Sequence, residues 1–104
     1  MDEVEKHQGN CSLITLGLSE KFYDTGFDLK VMPTLHPQDR NNFRQEFYKL
    51  NGRMHAFPIP TIAMINGYSI SGGALFVLSH DYRIMRNDLG YLHMNEIYFG
   101  LLIQ

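Results

Sequence analysis

Residues 66–75 (NGYSISGGAL) form a glycine- and serine-rich stretch whose composition suits the binding of an anion. They lie between an apolar run that predicts a buried strand and the start of a predicted helix. Gly72 and Gly73 let backbone amides approach a ligand because no Cβ stands in the way, and a helix N-terminus adds partial positive charge. The stretch therefore predicts a site for an anion, or for an oxygen that becomes one. A tight strand-to-helix turn without a ligand is an equally good interpretation of the spacing.

Two further segments contain candidate residues. In residues 23–29, Asp28 can cap a short helix that follows, which would leave the backbone amide of Phe27 pointing at a ligand. A plain loop is the alternative there. Glu96 lies in the mostly apolar run of residues 92–100. Apolar surroundings raise the pKa of a carboxyl group, which suits a base that works near neutral pH, whereas the alternative is an exposed glutamate at the start of a helix.

The five histidines predict neither a metal site nor a hydrolase. Their spacing lacks the pattern of metal ligands, and no nucleophile-elbow motif accompanies the serines. His80 precedes Asp81, but neighbours in sequence seldom face each other. We therefore expect His80 to end a helix and to complement its dipole. The glycine patterns of dinucleotide-binding and P-loop proteins are missing as well.

Composition limits the remaining possibilities. A chain of 104 residues with 44% hydrophobic residues predicts a single globular domain. Its formal net charge of −2 gives no electrostatic basis for binding nucleic acid or an anionic membrane. The single cysteine, Cys11, excludes an internal disulfide, and no stretch is long and apolar enough to predict a membrane span. The charged N-terminus, which has no apolar core, favours an intracellular protein over a secreted one.

Apolar periodicity and the placement of glycine and proline indicate the elements that must position the candidate residues. They predict strands at residues 10–18, 60–66, 82–85 and 91–94, and helices at residues 38–57 and 74–79. Residues 19–29 are predicted to be a loop that leads into a short helix, and residues 67–73 a turn. Strands that alternate with helices predict an α/β fold, with a mainly parallel core sheet and flanking helices. Such sheets place ligands beyond the carboxyl ends of their strands.

These segments together resemble the crotonase superfamily, also called the enoyl-CoA hydratase/isomerase family. Residues 21–29 (KFYDTGFDL) are similar to its Phe-x-x-Gly-x-Asp-hydrophobic loop. Residues 60–68 (PTIAMINGY), followed by Ser71-Gly72-Gly73, are similar to its Pro-x-Ile-Ala-x-x-Asn-Gly strand and glycine turn. Residues 81–85 and 94–101 are similar to the segment that leads to its active-site glutamate. The three matches occur in the family's order.

The resemblance extends over about residues 11–104 and implies part of a crotonase-like (ClpP/crotonase) fold. A complete domain of that fold is well over twice as long as this chain. We therefore expect residues 1–104 to be a single truncated domain, in which residues 1–10 form a poorly ordered or helical lead-in.

A coenzyme A thioester site is what the resemblance implies. In the family, two backbone amides bind the thioester oxygen, and the matching positions are Phe27 and Gly72. Hydratases use two glutamates; Leu75 occupies the first position here, and Glu96 matches the second. A single glutamate is the pattern of plant and mitochondrial-type Δ3,Δ2-enoyl-CoA isomerases, which move a proton from C2 to C4. The resemblance implies such an isomerase in fatty-acid oxidation, with Glu96 as the base, no metal, and no cofactor other than the coenzyme A of the substrate.

Further residues are expected to contact the enoyl-CoA substrate: Thr25, Gly26, Asp28, Gly73, Leu75, Ile70, Lys21 and Lys30. The two lysines are candidates for the coenzyme A phosphates, although solvated lysines are an equally good interpretation, and Leu75 and Ile70 are candidates for the acyl pocket. The resemblance also implies a peroxisomal or mitochondrial location and, for a full-length protein, a homo-oligomer. A catalytically inactive binding or structural module is the competing hypothesis, and an enoyl-CoA hydratase is a third.

Overall fold

The computed structural model describes residues 1–7, 9–26 and 32–94. Four predicted site residues lie outside these ranges: Phe27, Asp28, Lys30 and Glu96. The described elements are, in chain order, α1 (Asp2–Lys6), β1 (Leu13–Leu16), β2 (Phe22–Asp24), a 3-10 turn (Met32–Thr34), α2 (Pro37–His55), β3 (Thr61–Ile65), β4 (Tyr68–Ile70), α3 (Gly72–Leu78), β5 (Tyr82–Met85) and β6 (Tyr91–His93). This alternation of strands and helices confirms the predicted α/β class.

The first sheet is the predicted parallel core sheet. Its strand order is β1-β3-β5, and both neighbouring pairs are parallel. In β3, the buried residues Thr61, Ala63 and Ile65 alternate with less buried ones. Ala63 and Ile65 pack with Val77 of α3, and Tyr23 of β2 lies against this cluster. The core therefore lies where one face of the first sheet meets α3 and β2.

A second parallel sheet, with the order β2-β4-β6, includes two strands that the sequence did not predict. The loop predicted for residues 19–29 contains the strand Phe22–Asp24, and the turn predicted for residues 67–73 contains the strand Tyr68–Ile70. Both predictions are wrong at these positions, because the glycines and serines around these two short strands indicate a loop and a turn. The third strand of this sheet, β6, was predicted at residues 91–94. Aromatic side chains stabilise the pairing across the strands, since the ring centroid of Tyr68 lies 5.8 Å from Phe22 and 5.5 Å from Tyr91.

Helix α2 confirms the helix predicted for residues 38–57. It begins at Pro37, whose missing N–H needs no partner in the first helical turn. Near its carboxyl end, Met54 is 1% exposed, and Phe57, just beyond the helix, is 9% exposed. Phe43, earlier on the same apolar stripe, is 51% exposed. The helix is thus buried at one end and presents the rest of its stripe to a cavity.

Helix α1 is held against α2 by Arg53. The Arg53 guanidinium donates to the carboxylates of Asp2 and Glu5, and this contact lowers the pKa of Asp2. Residues 2–6 of the expected lead-in are therefore helical. Among residues 1–7, 9–26 and 32–94, no helix has both the length and the apolar character needed to cross a bilayer.

Candidate active site

The carboxyl ends of β2, β4 and β6 lie side by side, because the three strands are parallel neighbours with β4 in the centre. Residues 25–26 follow β2, residues 71–73 follow β4, and β6 ends at His93. Ligands of parallel sheets bind beyond this edge. The chain thus leads from adjacent strand ends into the three segments that contain the predicted site residues Phe27, Gly72 and Glu96.

The loop after β2 lies directly against the start of α3. Gly26 has a φ of +82°, a conformation that residues with a side chain rarely adopt. A Cβ built on Gly26 would lie 2.9 Å from the backbone nitrogen of Gly72 and 3.1 Å from the carbonyl oxygen of Ile70. The structure therefore brings the residue that precedes Phe27 into contact with the Gly72 amide group, the other predicted oxyanion donor.

Gly73 allows the loop after β2 to lie against the start of α3, and Asp24 fixes the conformation of that loop. A Cβ on Gly73 would lie 2.1 Å from the carbonyl oxygen of Asp24, far inside any nonbonded contact. The Asp24 carboxylate accepts a hydrogen bond of 2.8 Å from the amide of Gly26, the pattern of an Asx turn. Sequence reasoning missed this role of Asp24, although an aspartate two residues before a glycine is a signal for such a turn.

Ser71 links the glycine turn to β6. Its backbone nitrogen donates a hydrogen bond of 2.7 Å to the carbonyl oxygen of His93, the last residue of β6. Ser71 adopts φ 57° and ψ −116° at the N-cap of α3. This backbone conformation favours glycine, so a serine here is strained. The turn thus meets the first loop through Gly26 and the third segment through His93.

A cavity of about 340 Å³ opens beside these loops. Its lining among the described residues is mostly apolar and consists of Phe43, Phe47, Leu50, Phe76, Gly26, Asp24 and Glu46. It adjoins the glycine turn, because a Cβ on Gly72 would lie 3.4 Å from the Phe47 ring and 3.4 Å from the Gly26 Cα atom. An apolar cavity next to a fixed backbone amide can hold a hydrocarbon chain while the amide binds an oxygen at its end.

The other predicted contact residues lie at varied distances from this cavity. Thr25 is exposed in the first loop, and Ile70 and Leu75 are half-buried but are not among the described lining residues. The Lys21 ammonium lies 5.4 Å from the ring centroid of Phe22 and 5.9 Å from that of Tyr68, on the second sheet. The assignment of these four side chains to substrate contacts stays a prediction.

A partly buried chain of hydrogen bonds behind the loops connects β2, β1 and the end of α3. The Nδ1 atom of His80 lies 2.9 Å from the carbonyl oxygen of Phe76, so this nitrogen carries the proton. The Nε2 atom therefore accepts from the Thr15 hydroxyl, 2.8 Å away, and that hydroxyl in turn accepts from Tyr23 at 2.5 Å. Sequence reasoning could not find this chain, because its partners are up to 65 residues apart.

Burial favours the neutral form of both titratable ends of this chain. Desolvation lowers the pKa of His80 and raises the pKa of Tyr23. His80 does contact the carbonyl end of α3, as predicted, but as a neutral donor rather than as a cation. The Asp81 carboxylate accepts from the amide and the hydroxyl of Thr61 instead, which confirms that the neighbours His80 and Asp81 do not pair.

Comparison with known proteins identifies the family. The family described as enoyl-CoA hydratase/isomerase matches residues 2–103, nearly the whole chain. The chain belongs to the enoyl-CoA hydratase/isomerase family. The loops at the ends of β2 and β4 are thus loops of a crotonase-family domain, as their resemblance to the family's motifs implied.

Individual members of the family are similar over most of this chain. Enoyl-CoA delta isomerase 3 of Arabidopsis thaliana is 38% identical over 86% of the chain, and the peroxisomal enoyl-CoA delta isomerase 2 of the same plant is 31% identical over 97%. The alignments cover 38% and 44% of those two relatives, so the chain spans less than half of their length. The crystal structure of a probable enoyl-CoA hydratase from Mycobacterium tuberculosis superposes with a TM-score of 0.80 at 25% identity, over 88% of this chain and 38% of that one. This superposition confirms the predicted crotonase-like fold of a partial domain.

Proposed function

We propose that this chain carries the thioester-binding and proton-transfer centre of an enoyl-CoA isomerase, which shifts a 3-enoyl-CoA to the 2-trans isomer. The observation that carries the proposal is the contact between Gly26 and Gly72 at adjacent strand ends, beside an apolar cavity. Two loops that meet in this way can direct two amides at one oxygen. The delta-isomerase names of the Arabidopsis relatives support this reaction over others of the family.

The oxyanion donors of the proposed site are the backbone amides of Phe27 and Gly72. Removing a proton next to a thioester carbonyl places negative charge on the carbonyl oxygen. Fixed amides stabilise that charge without having to reorganise, and loss of one such donor typically slows a reaction by about a hundred- to a thousand-fold. Gly73 and Asp24 serve this alignment by holding the two loops together.

Glu96 is the proposed base. Its carboxylate removes a proton from C2, which gives an enolate with charge on the thioester oxygen, and the same carboxyl group returns the proton to C4. The double bond moves from C3–C4 to C2–C3, and no atom is gained or lost. Leu75, at the position of the hydratases' other glutamate, offers no group that activates water. The proposal therefore favours isomerisation over hydration, and coenzyme A takes part only as a portion of the substrate.

The apolar cavity is the proposed binding site for the acyl chain. Phe43, Phe47, Leu50 and Phe76 offer apolar surface without a hydrogen-bonding requirement. At about 340 Å³, the cavity lies at the small end of the range of about 300–1,000 Å³ typical of ligand pockets. Two of the relatives carry the word peroxisomal in their names, which supports fatty-acid oxidation in that compartment as the setting of the reaction.

The experiment is an isomerase assay on the 104-residue chain with 3-hexenoyl-CoA, following formation of the conjugated thioester by ultraviolet absorbance. Turnover that is lost in Glu96→Gln and kept in Glu3→Gln, a matched change on the exposed surface of α1, is the expected result. A folded chain without turnover would contradict the proposal for this chain. Turnover that survives in Glu96→Gln would contradict the assignment of the base.

A binding module without catalysis is the second candidate. The observation that favours it is the exposure of the cavity wall, where Phe43 is 51% and Leu50 is 39% exposed. An open wall aligns a substrate less well, and misplacement by about 1 Å can lower a rate about a hundred-fold. Hexanoyl-CoA that binds in calorimetry, together with 3-hexenoyl-CoA that binds but does not react, is the result that this candidate requires.

A further inference from the structure

We propose that Glu46 makes the cavity selective for uncharged acyl groups over acyl groups that end in a carboxylate. This inference rests on the proposed function, since it names the substrate class of the same site.

Glu46 interrupts the apolar stripe of α2. Phe43, Glu46, Phe47 and Leu50 follow the spacing i, i+3, i+4 and i+7, which places them on one side of the helix, and all four line the cavity. Three apolar side chains already provide a surface for a hydrocarbon chain. A carboxylate in the same stripe therefore contributes discrimination between ligands rather than apolar contact.

The charged side chains among the described lining residues are both acidic, Asp24 and Glu46. Asp24 binds the Gly26 amide and lies at the loop end of the cavity. Glu46 pairs with Lys49 at 3.2 Å, but both side chains are more than 70% exposed. Such exposed pairs are weak, so Lys49 offsets only part of the Glu46 charge.

A terminal carboxylate on the acyl group would therefore enter a space where the fixed charges have its own sign. Repulsion of like charges is one way in which a site rejects a competitor of similar size. A neutral acyl group with the same number of carbons meets no such repulsion, and its terminal methyl group can contact the apolar side chains of the cavity.

Hexanoyl-CoA and adipoyl-CoA are the probes, because both have six-carbon acyl groups and only adipoyl ends in a carboxylate. Their dissociation constants are measured by calorimetry on the 104-residue chain at neutral pH and low salt. Hexanoyl-CoA should bind at least about fivefold more tightly, the factor for two like charges about 4 Å apart in water. Since a carboxylate also loses apolar contact, the variants decide how much of this preference belongs to Glu46.

Glu46→Gln should lower the preference for hexanoyl-CoA about fivefold, while Lys49→Gln, which removes the compensating cation, should raise it. Glu3→Gln removes the same charge from α1 and should leave the preference unchanged. Opposite effects of two neighbouring substitutions would not arise from a general loss of structure. A preference that is the same in Glu46→Gln and in the unmodified chain overturns the inference alone. Failure of both thioesters to bind a folded chain overturns the inference together with the proposed function.

Discussion

Glycine-to-alanine substitutions at three positions test the packing that joins the two site loops. In a helix interior, alanine is more favourable than glycine by about 1 kcal/mol. Gly52 of α2 has no atom within 4 Å of the position of a Cβ, so Gly52→Ala should stabilise the fold by about 1 kcal/mol. At Gly73 the new Cβ would lie 2.1 Å from the carbonyl oxygen of Asp24. Overpacking of this kind costs about 1–3 kcal/mol. The atoms nearest to the new Cβ belong to the Asp24 backbone, so no side-chain rotation can relieve the clash.

Gly72→Ala provides the matched control for Gly73→Ala, because both residues lie in the first turn of α3. A Cβ on Gly72 meets its nearest neighbours, the Gly26 Cα atom and the Phe47 ring, at 3.4 Å, which is ordinary contact. Its free energy of unfolding should stay within about 0.5 kcal/mol of the unmodified chain. The expected order of stability is therefore Gly52→Ala, then the unmodified chain and Gly72→Ala, then Gly73→Ala.

Thermal unfolding followed by circular dichroism measures this order. A change of 1 kcal/mol shifts Tm by about 4–8 °C in a domain of this size, so the extremes of the series, about 2–4 kcal/mol apart, should differ by about 8–32 °C. Gly73→Ala must also displace the Asp24 loop by an amount on the order of 1 Å, which predicts a loss of turnover of about a hundred-fold. If Gly73→Ala is as stable as Gly52→Ala, the inference that β2 and α3 are in close backbone contact is wrong.

Three further predictions concern single residues. Ser71→Gly and Ser71→Ala both delete the hydroxyl, so they differ only in how well they tolerate the φ of 57°. Urea unfolding should show the glycine variant to be more stable than the alanine variant by about 1 kcal/mol. Equal stability of the two variants would contradict backbone strain at this position. Burial lowers the pKa of His80 from 6.5, so below that pH the unfolded chain binds more protons than the folded one. Stability should therefore be complete above about pH 6.5 and fall as the pH drops toward the lowered pKa, and His80→Gln should flatten this decline; an unchanged slope would show that another group causes it. Nuclear magnetic resonance titration should give Asp88 a pKa of about 2, because the Arg86 guanidinium donates to its carboxylate, and Arg86→Gln should return that pKa toward 3.8.

Most of the elements predicted from the sequence have four or more residues. The strands β1 and β3 belong to apolar runs, and β5 was predicted as a shorter strand at residues 82–85. The spacing of Phe43, Phe47, Leu50 and Met54 predicts α2 over almost its whole length. The strands β2 and β4 were missed because each lies between glycines, which indicate turns, whereas β6, which is equally short, was predicted at residues 91–94. Their pairing depends on contacts between distant segments, such as Phe22 with Tyr68, which no local pattern reports.

The site residues also divide into those that the sequence predicts and those that it does not. Gly26, Gly72 and Gly73 were predicted from their residue type and motif, and the structure places all three at the junction of the loops. Asp24 and the cavity residues of α2 were not predicted. Glu46 in particular is an ordinary helical glutamate in the sequence, and its position in the cavity wall follows only from how α2 lies against the loop after β2.

The alignment of the first loop depends on the core behind it as much as on the loop itself. Tyr23, the residue before Asp24, is half-buried and hydrogen-bonded to Thr15 of β1, which donates to His80 at the end of α3. This partly buried polar chain allows few alternative arrangements, because a shift would leave buried His80 or a half-buried hydroxyl without its hydrogen bond. Apolar contacts are not directional, so they fix the distance between two sheets better than they fix the position of one sheet along the other. The polar chain joins β2, which leads to Gly26, through β1 to His80 just after α3, the helix that begins at Gly72. It therefore limits how far β2 and α3 can shift relative to each other.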